Sequence, residues 1–323
     1  MTDAARGAAV VLPGEGSARP GALDAWLRDE AAREVVTEAS DVLGRDVVQW
    51  WGDPLNLCDP VAAHLTAVVT AVAGYRSLVR SGLQPVVVAG HGVGEYAALV
   101  AAGALGLDQV VAFVDLRAEA LSHAPRPSCA GMAAVVGPDA AEVARSGVAE
   151  FGSGGRLAIA SFDGPAQVVL SGSREELEHA RSAVTAAGLD LVRLPGRAAC
   201  HGPLMQSVAD HLAAPLADLD WSVPAIPVIP NVDPRPSRDP ERLARCLRSH
   251  LTAPVQWEAT SYALVEAGAS WVVEVGTVST LGPLIHQVHP HLPVHLAAGP
   301  GLPTPPARPE QTLTGAAPTR GER

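Results

Sequence analysis

Pro85-Val86-Val87-Val88-Ala89-Gly90-His91-Gly92-Val93-Gly94-Glu95-Tyr96-Ala97-Ala98-Leu99 is the stretch on which the fold turns. It opens as a continuous run rich in valine, the mark of a strand buried on both faces. It breaks at Gly90-His91-Gly92-Val93-Gly94 and resumes as a helical pattern from Glu95. Strand, tight glycine turn and helix together indicate an α/β domain built on a parallel sheet. The turn stands where a nucleophile elbow, G-x-S-x-G, would be. Such an elbow holds its central side chain at a helix N-terminus, where the dipole and free N–H groups stabilise an anion. Here the centre is Gly92, so the turn is present and the hydroxyl is absent. By itself the turn fits a phosphate-binding loop or a simple loop closure as well as it fits an elbow.

Upstream, Ala8–Leu12 reads as a buried strand ended by Pro13-Gly14-Glu15-Gly16-Ser17, and Pro60–Ser81 as a long apolar helix. Downstream, about Gly131 to Pro195 has a different rhythm. Strands are expected at Met132–Val136, Leu157–Phe162, Gln167–Leu170 and Leu189–Leu194, with helices at Ala140–Glu150 and Glu175–Ala187. That β-α-β-β-α-β order is the ferredoxin-like pattern. The α/β rhythm returns with a strand at Ala225–Ile229, helices near Arg242–His250 and Thr260–Glu266, and a strand at Trp271–Val275. The expected fold class is α/β: a hydrolase-like parallel-sheet domain with an inserted ferredoxin-like subdomain. Its parts are 1–128 and 198–298 for the large domain, 129–197 for the insert, and 299–323 for a disordered tail rich in Pro, Gly and Thr.

Composition narrows the function. All 23 basic residues are Arg and are scattered; against 34 acidic residues they leave a net charge of −11. No basic stripe exists to bind nucleic acid or an anionic membrane. Cys58, Cys129, Cys200 and Cys246 form no CxxC pair. They read as reduced thiols of a cytoplasmic protein rather than a disulfide framework or zinc site. No signal-like h-region and no uncharged apolar run of membrane length is present.

Several ordered motifs over about residues 8–290 resemble the malonyl-CoA:acyl-carrier-protein transacylase family, including polyketide synthase acyltransferase domains. The family's F-P-G-Q-G-S appears as Leu12-Pro13-Gly14-Glu15-Gly16-Ser17, and its G-H-S-x-G-E as Gly90-His91-Gly92-Val93-Gly94-Glu95. Its Leu-Arg pair matches Leu116-Arg117, and its F-H-S-P-L-M appears as Cys200-His201-Gly202-Pro203-Leu204-Met205. Asn231-Val232-Asp233, Pro254-Val255-Gln256-Trp257 and Glu274-Val275-Gly276 match later landmarks.

The resemblance implies a site in the cleft between the two subdomains. It implies His201 as base, oriented by the backbone carbonyl of His250, and an oxyanion hole from the N–H groups of Glu15 and Val93. Arg117 becomes a clamp on a malonyl-type carboxylate, with His91, Cys200 and Asn231 near the substrate. Acyl-CoA and an acyl carrier protein are the implied partners of a monomer. CoA and phosphopantetheine thioesters are substrates, and no cofactor or metal is implied.

The departures fall on the chemistry. Ping-pong acyl exchange needs a nucleophile, and Gly92 supplies none. Glu15 stands in place of a glutamine. It is either a solvated loop carboxylate or a new acid or base, because an ionised carboxylate beside a developing oxyanion is repulsive. Arg117, taken without the resemblance, would be a surface cation paired with Asp115 or Glu119. Cys200 reads as a buried inert thiol in preference to a surrogate nucleophile. The function expected is an acyltransferase-family protein of polyketide or fatty-acid biosynthesis with an altered mechanism, such as thioester hydrolysis. The alternative is a non-catalytic scaffold that binds acyl-CoA or a carrier protein.

Overall fold

Strand β1 is Ala8–Leu12, and all of its residues are buried. The computed structural model describes residues 7–123, 130–152, 155–194 and 198–303. After β1 come α1 (Glu30–Leu43), α2 (Val47–Gly52), α3 (Pro60–Arg80), β2 (Pro85–Gly90), α4 (Gly94–Ala101) and α5 (Leu107–His123). Local chemistry starts these helices. Asp29 accepts from the amides of Ala31 and Ala32 at the head of α1, and Asp59 accepts from Val61 at the head of α3, where Pro60 occupies the first turn. α3 is long and apolar enough to cross a membrane, yet nearly all of it is buried inside the protein. It is a core helix.

The second part of the large domain holds α8 (Gln206–Ala217), β7 (Val228–Ile229), α9 (Pro240–Ser249), α10 (Trp257–Glu266), β8 (Trp271–Val275), α11 (Gly282–Val288) and β9 (Val294–Ala297). The five strands lie in the order β7-β2-β1-β8-β9. Each pair is parallel, with Val10 beside both Val88 and Val273. Two hydrophobic clusters explain why these strands read as unbroken apolar runs. Val10, Leu12, Val88 and Val273 pack on the side of α3, while Ala9, Val11, Val87 and Val272 pack with Trp257, Leu264 and Ile285.

Between these halves lies a second sheet with β3 (Gly131–Val136), α6 (Ala140–Phe151), β4 (Leu157–Gly164), β5 (Gln167–Gly172), α7 (Arg174–Ala186) and β6 (Asp190–Arg193). Its strands are antiparallel in the order β4-β5-β3-β6, the ferredoxin-like arrangement expected. The sheets are stitched together by Val255, whose amide donates to Ala160 O and whose carbonyl accepts from Phe162 N, both at 2.9 Å.

Some expectations needed adjustment. The strand expected at Ala225–Ile229 contracts to Val228–Ile229, because Pro224 and Pro227 cannot donate to a ladder. α8 and edge strand β9 were not anticipated: Pro215 interrupts the helical pattern of one and His295 the apolar run of the other. The expected boundaries near 128 and 197 fall in segments outside the described residues, as do Cys129 and the tail from 304 onward.

Candidate active site

The elbow between β2 and α4 is held by close backbone approach. A Cβ on Gly90 would lie 2.0 Å from Gly94 O, and one on Gly94 would lie 2.2 Å from Leu12 O. Gly92 has φ +54, the left-handed conformation of a strained turn, and among the described residues a Cβ there would meet only His201 Nε2, at 3.8 Å. The space a serine hydroxyl would fill is therefore open and faces an imidazole.

That imidazole is fixed in one tautomer. His201 Nδ1–H donates to the carbonyl of His250 at 2.7 Å, leaving the lone pair on Nε2. Burial, reinforced by the charge of Arg117, pushes the His201 pKa down to about 3. The ring is a neutral proton acceptor at ordinary pH. The carbonyl role expected for His250 is thus found, and its side chain adds a second one. His250 Nε2–H donates to Gly92 O at 2.9 Å, so one residue orients the base and holds the elbow.

Asn231 is corrected from a substrate contact to a positioning residue. It is buried, its Oδ1 accepts from Gly92 N at 3.0 Å, and its Nδ2 donates to Gly90 O at 3.0 Å and to Glu95. Both polar atoms of its side chain are thus engaged by the protein itself. Glu95 also accepts from Asn231 N, and burial raises its carboxyl pKa to about 7 against the pull of those Asn231 bonds.

The amides of Glu15 and Val93 lie at the starts of a short 3-10 turn (Glu15–Ser17) and of α4. Gly14 packs against the elbow so closely that a Cβ there would be 2.6 Å from His91 O and 3.6 Å from Val93 N. Among the described residues neither amide donates to a protein acceptor. Two free N–H groups on adjoining turns are suited to an oxyanion.

Arg117 corrects the surface reading. It is 2% exposed on α5, lies over the Tyr96 ring at 5.8 Å, and has no carboxylate within ion-pair distance among the described residues. Nη1 donates to His64 Nδ1 at 3.3 Å, and the buried Nε has no partner among the described residues. Glu15 is not simply solvated either: its Oε2 lies 3.0 Å from His64 Nε2. Burial alone would raise the Glu15 pKa, but the hydrogen bond from His64 and the charge of Arg117 bring it below the ordinary carboxylate value. Cys200 packs against the core, and burial raises its thiol pKa to about 11, as an inert thiol requires.

His91 is half-buried and bridges the subdomains. Its Nε2 bonds Asp163 Oδ1 on β4 at 2.9 Å, and its ring meets Trp257 edge-on at 5.3 Å. Burial alone would raise the Asp163 pKa; hydrogen bonds from His91, Ser161 and Gln167 hold it below the usual range. Sequence reasoning missed His64, Asp163 and the side-chain role of His250. For His64 the signal was available, since it is an imidazole in an otherwise apolar helix; the Asp163 contact spans 72 residues and left no local trace.

The arrangement therefore combines a neutral base, two free amides and a buried cation around a position with no nucleophile. A model of the acyl transferase domain matches residues 22–290. The malonyl CoA-acyl carrier protein transacylase of Salmonella typhimurium is 32% identical over 287 residues, covering 87% of this chain and 92% of that protein. An acyl carrier protein S-malonyltransferase from Vibrio cholerae superposes with a TM-score of 0.86 at 30% identity, covering 91% of this chain and 97% of that one. A malonyl-transacylase solved in complex with a type II polyketide synthase acyl carrier protein superposes with a TM-score of 0.85 at 29% identity, covering 90% and 96%.

Proposed function

The chain belongs to the acyl transferase domain family, and from that premise we propose that it acts on malonyl-type acyl thioesters of CoA or an acyl carrier protein without forming an acyl-enzyme. The observation that carries this reading is His201 Nε2, a free lone pair 3.8 Å from the point where a Gly92 side chain would begin. Water in that space attacks the thioester carbon while His201 Nε2 takes its proton. The oxyanion is held by the Glu15 and Val93 amides. The C–S bond then breaks, and the proton on His201 passes to the departing thiolate, giving a free carboxylic acid and a thiol. Arg117, buried with an unpartnered Nε, binds the distal carboxylate of the acyl group.

No resident cofactor enters this scheme; CoA and phosphopantetheine arrive as part of the substrate. The setting is polyketide or fatty-acid biosynthesis, with a monomer working in the cytoplasm. The unpaired state of Cys58, Cys200 and Cys246 accords with that compartment.

Intact-protein mass spectrometry with free-thiol release, using malonyl-CoA, tests the reading. The expected result is CoA release with no protein adduct, abolished by His201→Ala. A stable adduct would mean that a surrogate nucleophile exists. Neither release nor adduct would leave the open elbow as the mark of a binding scaffold. Arg117→Ala is expected to weaken malonyl-CoA binding about tenfold or more, as measured by calorimetry.

A further inference from the structure

Arg117, His64 and Glu15 form a connected line. Arginine has no acceptor, so the 3.3 Å contact from Arg117 Nη1 requires a lone pair on His64 Nδ1. The His64 proton then sits on Nε2 and is donated to Glu15 Oε2 at 3.0 Å. His64 is neutral in this arrangement and is only 4% exposed on α3. Its burial and the charge of Arg117 favour that neutral form, against the pull of Glu15 and Asp59. The line thus carries one negative and one positive charge, and among the described residues the carboxylate tied to Arg117 through it is the protein's own Glu15.

We propose, building on the acyl-thioester reading above, that Glu15 held by His64 is a resident counter-anion to Arg117 that sets the acyl-group specificity of the site. An acyl carboxylate arriving at the free edge of the guanidinium meets a cation already compensated from its other side. Coulomb attraction for a second anion is reduced by the first, and more so in a dry site than in water. The site therefore discriminates less between carboxylated and uncharged acyl groups than one with Arg117 uncompensated. His64 is the positioning residue: it keeps Glu15 at the arginine, which a flexible carboxylate on a half-exposed turn would otherwise leave for solvent.

The test is the ratio of dissociation constants for malonyl-CoA and acetyl-CoA. It is measured by calorimetry in a His201→Ala background, where the substrates are not consumed. Glu15→Gln, which keeps shape and removes charge, is expected to tighten malonyl-CoA at least about fivefold and leave acetyl-CoA within twofold. His64→Leu is expected to shift the ratio in the same direction, with folding checked by thermal melting. A merely structural role for either residue would weaken both ligands together. If Arg117→Ala weakens malonyl-CoA while Glu15→Gln leaves the ratio unchanged, the counter-anion is refuted and the acyl-thioester reading stands. If Arg117→Ala leaves malonyl-CoA binding unchanged, the carboxylate-clamp reading itself has failed, and this inference with it.

Discussion

Gly92 carries φ +54 with open space before it, and those two facts bear differently on restoring a hydroxyl. The backbone conformation costs a non-glycine residue about 1–2 kcal/mol, while the space imposes no clash. Gly92→Ser should therefore fold, and it should gain a covalent acyl adduct from malonyl-CoA; a folded variant with no adduct would mean that the site has been rebuilt around water. The base makes a second prediction. Because burial holds the His201 pKa near 3, the rate of CoA release should stay flat through the usual imidazole range near pH 6.5. An acid limb centred there in the pH–rate profile would contradict the buried, neutral base.

At the scale of the elements, the loop between β8 and α11 turns on one carboxylate. Glu274 accepts from the amides of Thr280, Leu281 and Gly282 at 2.6, 2.8 and 2.9 Å, and from the hydroxyls of Ser279 and Thr280. It caps the N-terminus of α11, where a negative charge is favoured by the helix dipole. Glu274→Ala would leave three amides without an acceptor, two of them buried. Stability is expected to fall by about 2–4 kcal/mol, seen as a lower urea midpoint with an unchanged slope. The sequence showed this residue as a family landmark, but its role was not legible. The groups it satisfies are backbone amides, which every residue carries, so no side-chain pattern announces them. The insert, by contrast, was legible element by element: short apolar runs, Gly164-Pro165 where β4 gives way to the turn before β5, and Ser173 capping α7 through the Glu176 amide are local signals.

Across the whole molecule, the large sheet and the insert meet around groups that titrate in the interior. Glu95 is raised from an ordinary carboxylate value to about 7, so the folded protein binds that proton more tightly than the unfolded chain. Its contribution to stability is complete below about pH 4.5 and is lost as pH rises through about 7. His201 is depressed, so its contribution is complete above about pH 6.5 and falls away in acid. Glu95→Gln isolates the first effect. Between pH 5 and 8 the wild type should lose stability relative to this variant by up to about 3 kcal/mol, measured by urea unfolding at each pH. Parallel curves for the two proteins would show that Glu95 is ionised throughout.

What the sequence determined by itself is the order of elements and the residues at the elbow, the base and the arginine. Those follow from hydrophobic period, turn chemistry and short motifs, which are all written within a few consecutive residues. The tertiary structure alone decided what each residue touches. It took Asn231 away from the substrate and put it under the elbow, 139 residues from the Gly92 amide it receives. It buried Arg117, which without the resemblance reads as a surface cation, and it joined Glu15 to His64 across 49 residues. Hydrogen bonds and ion pairs are fixed by distances of about 3 Å, and such distances between remote residues exist only once the sheet has brought β1, β2, α3 and α5 together.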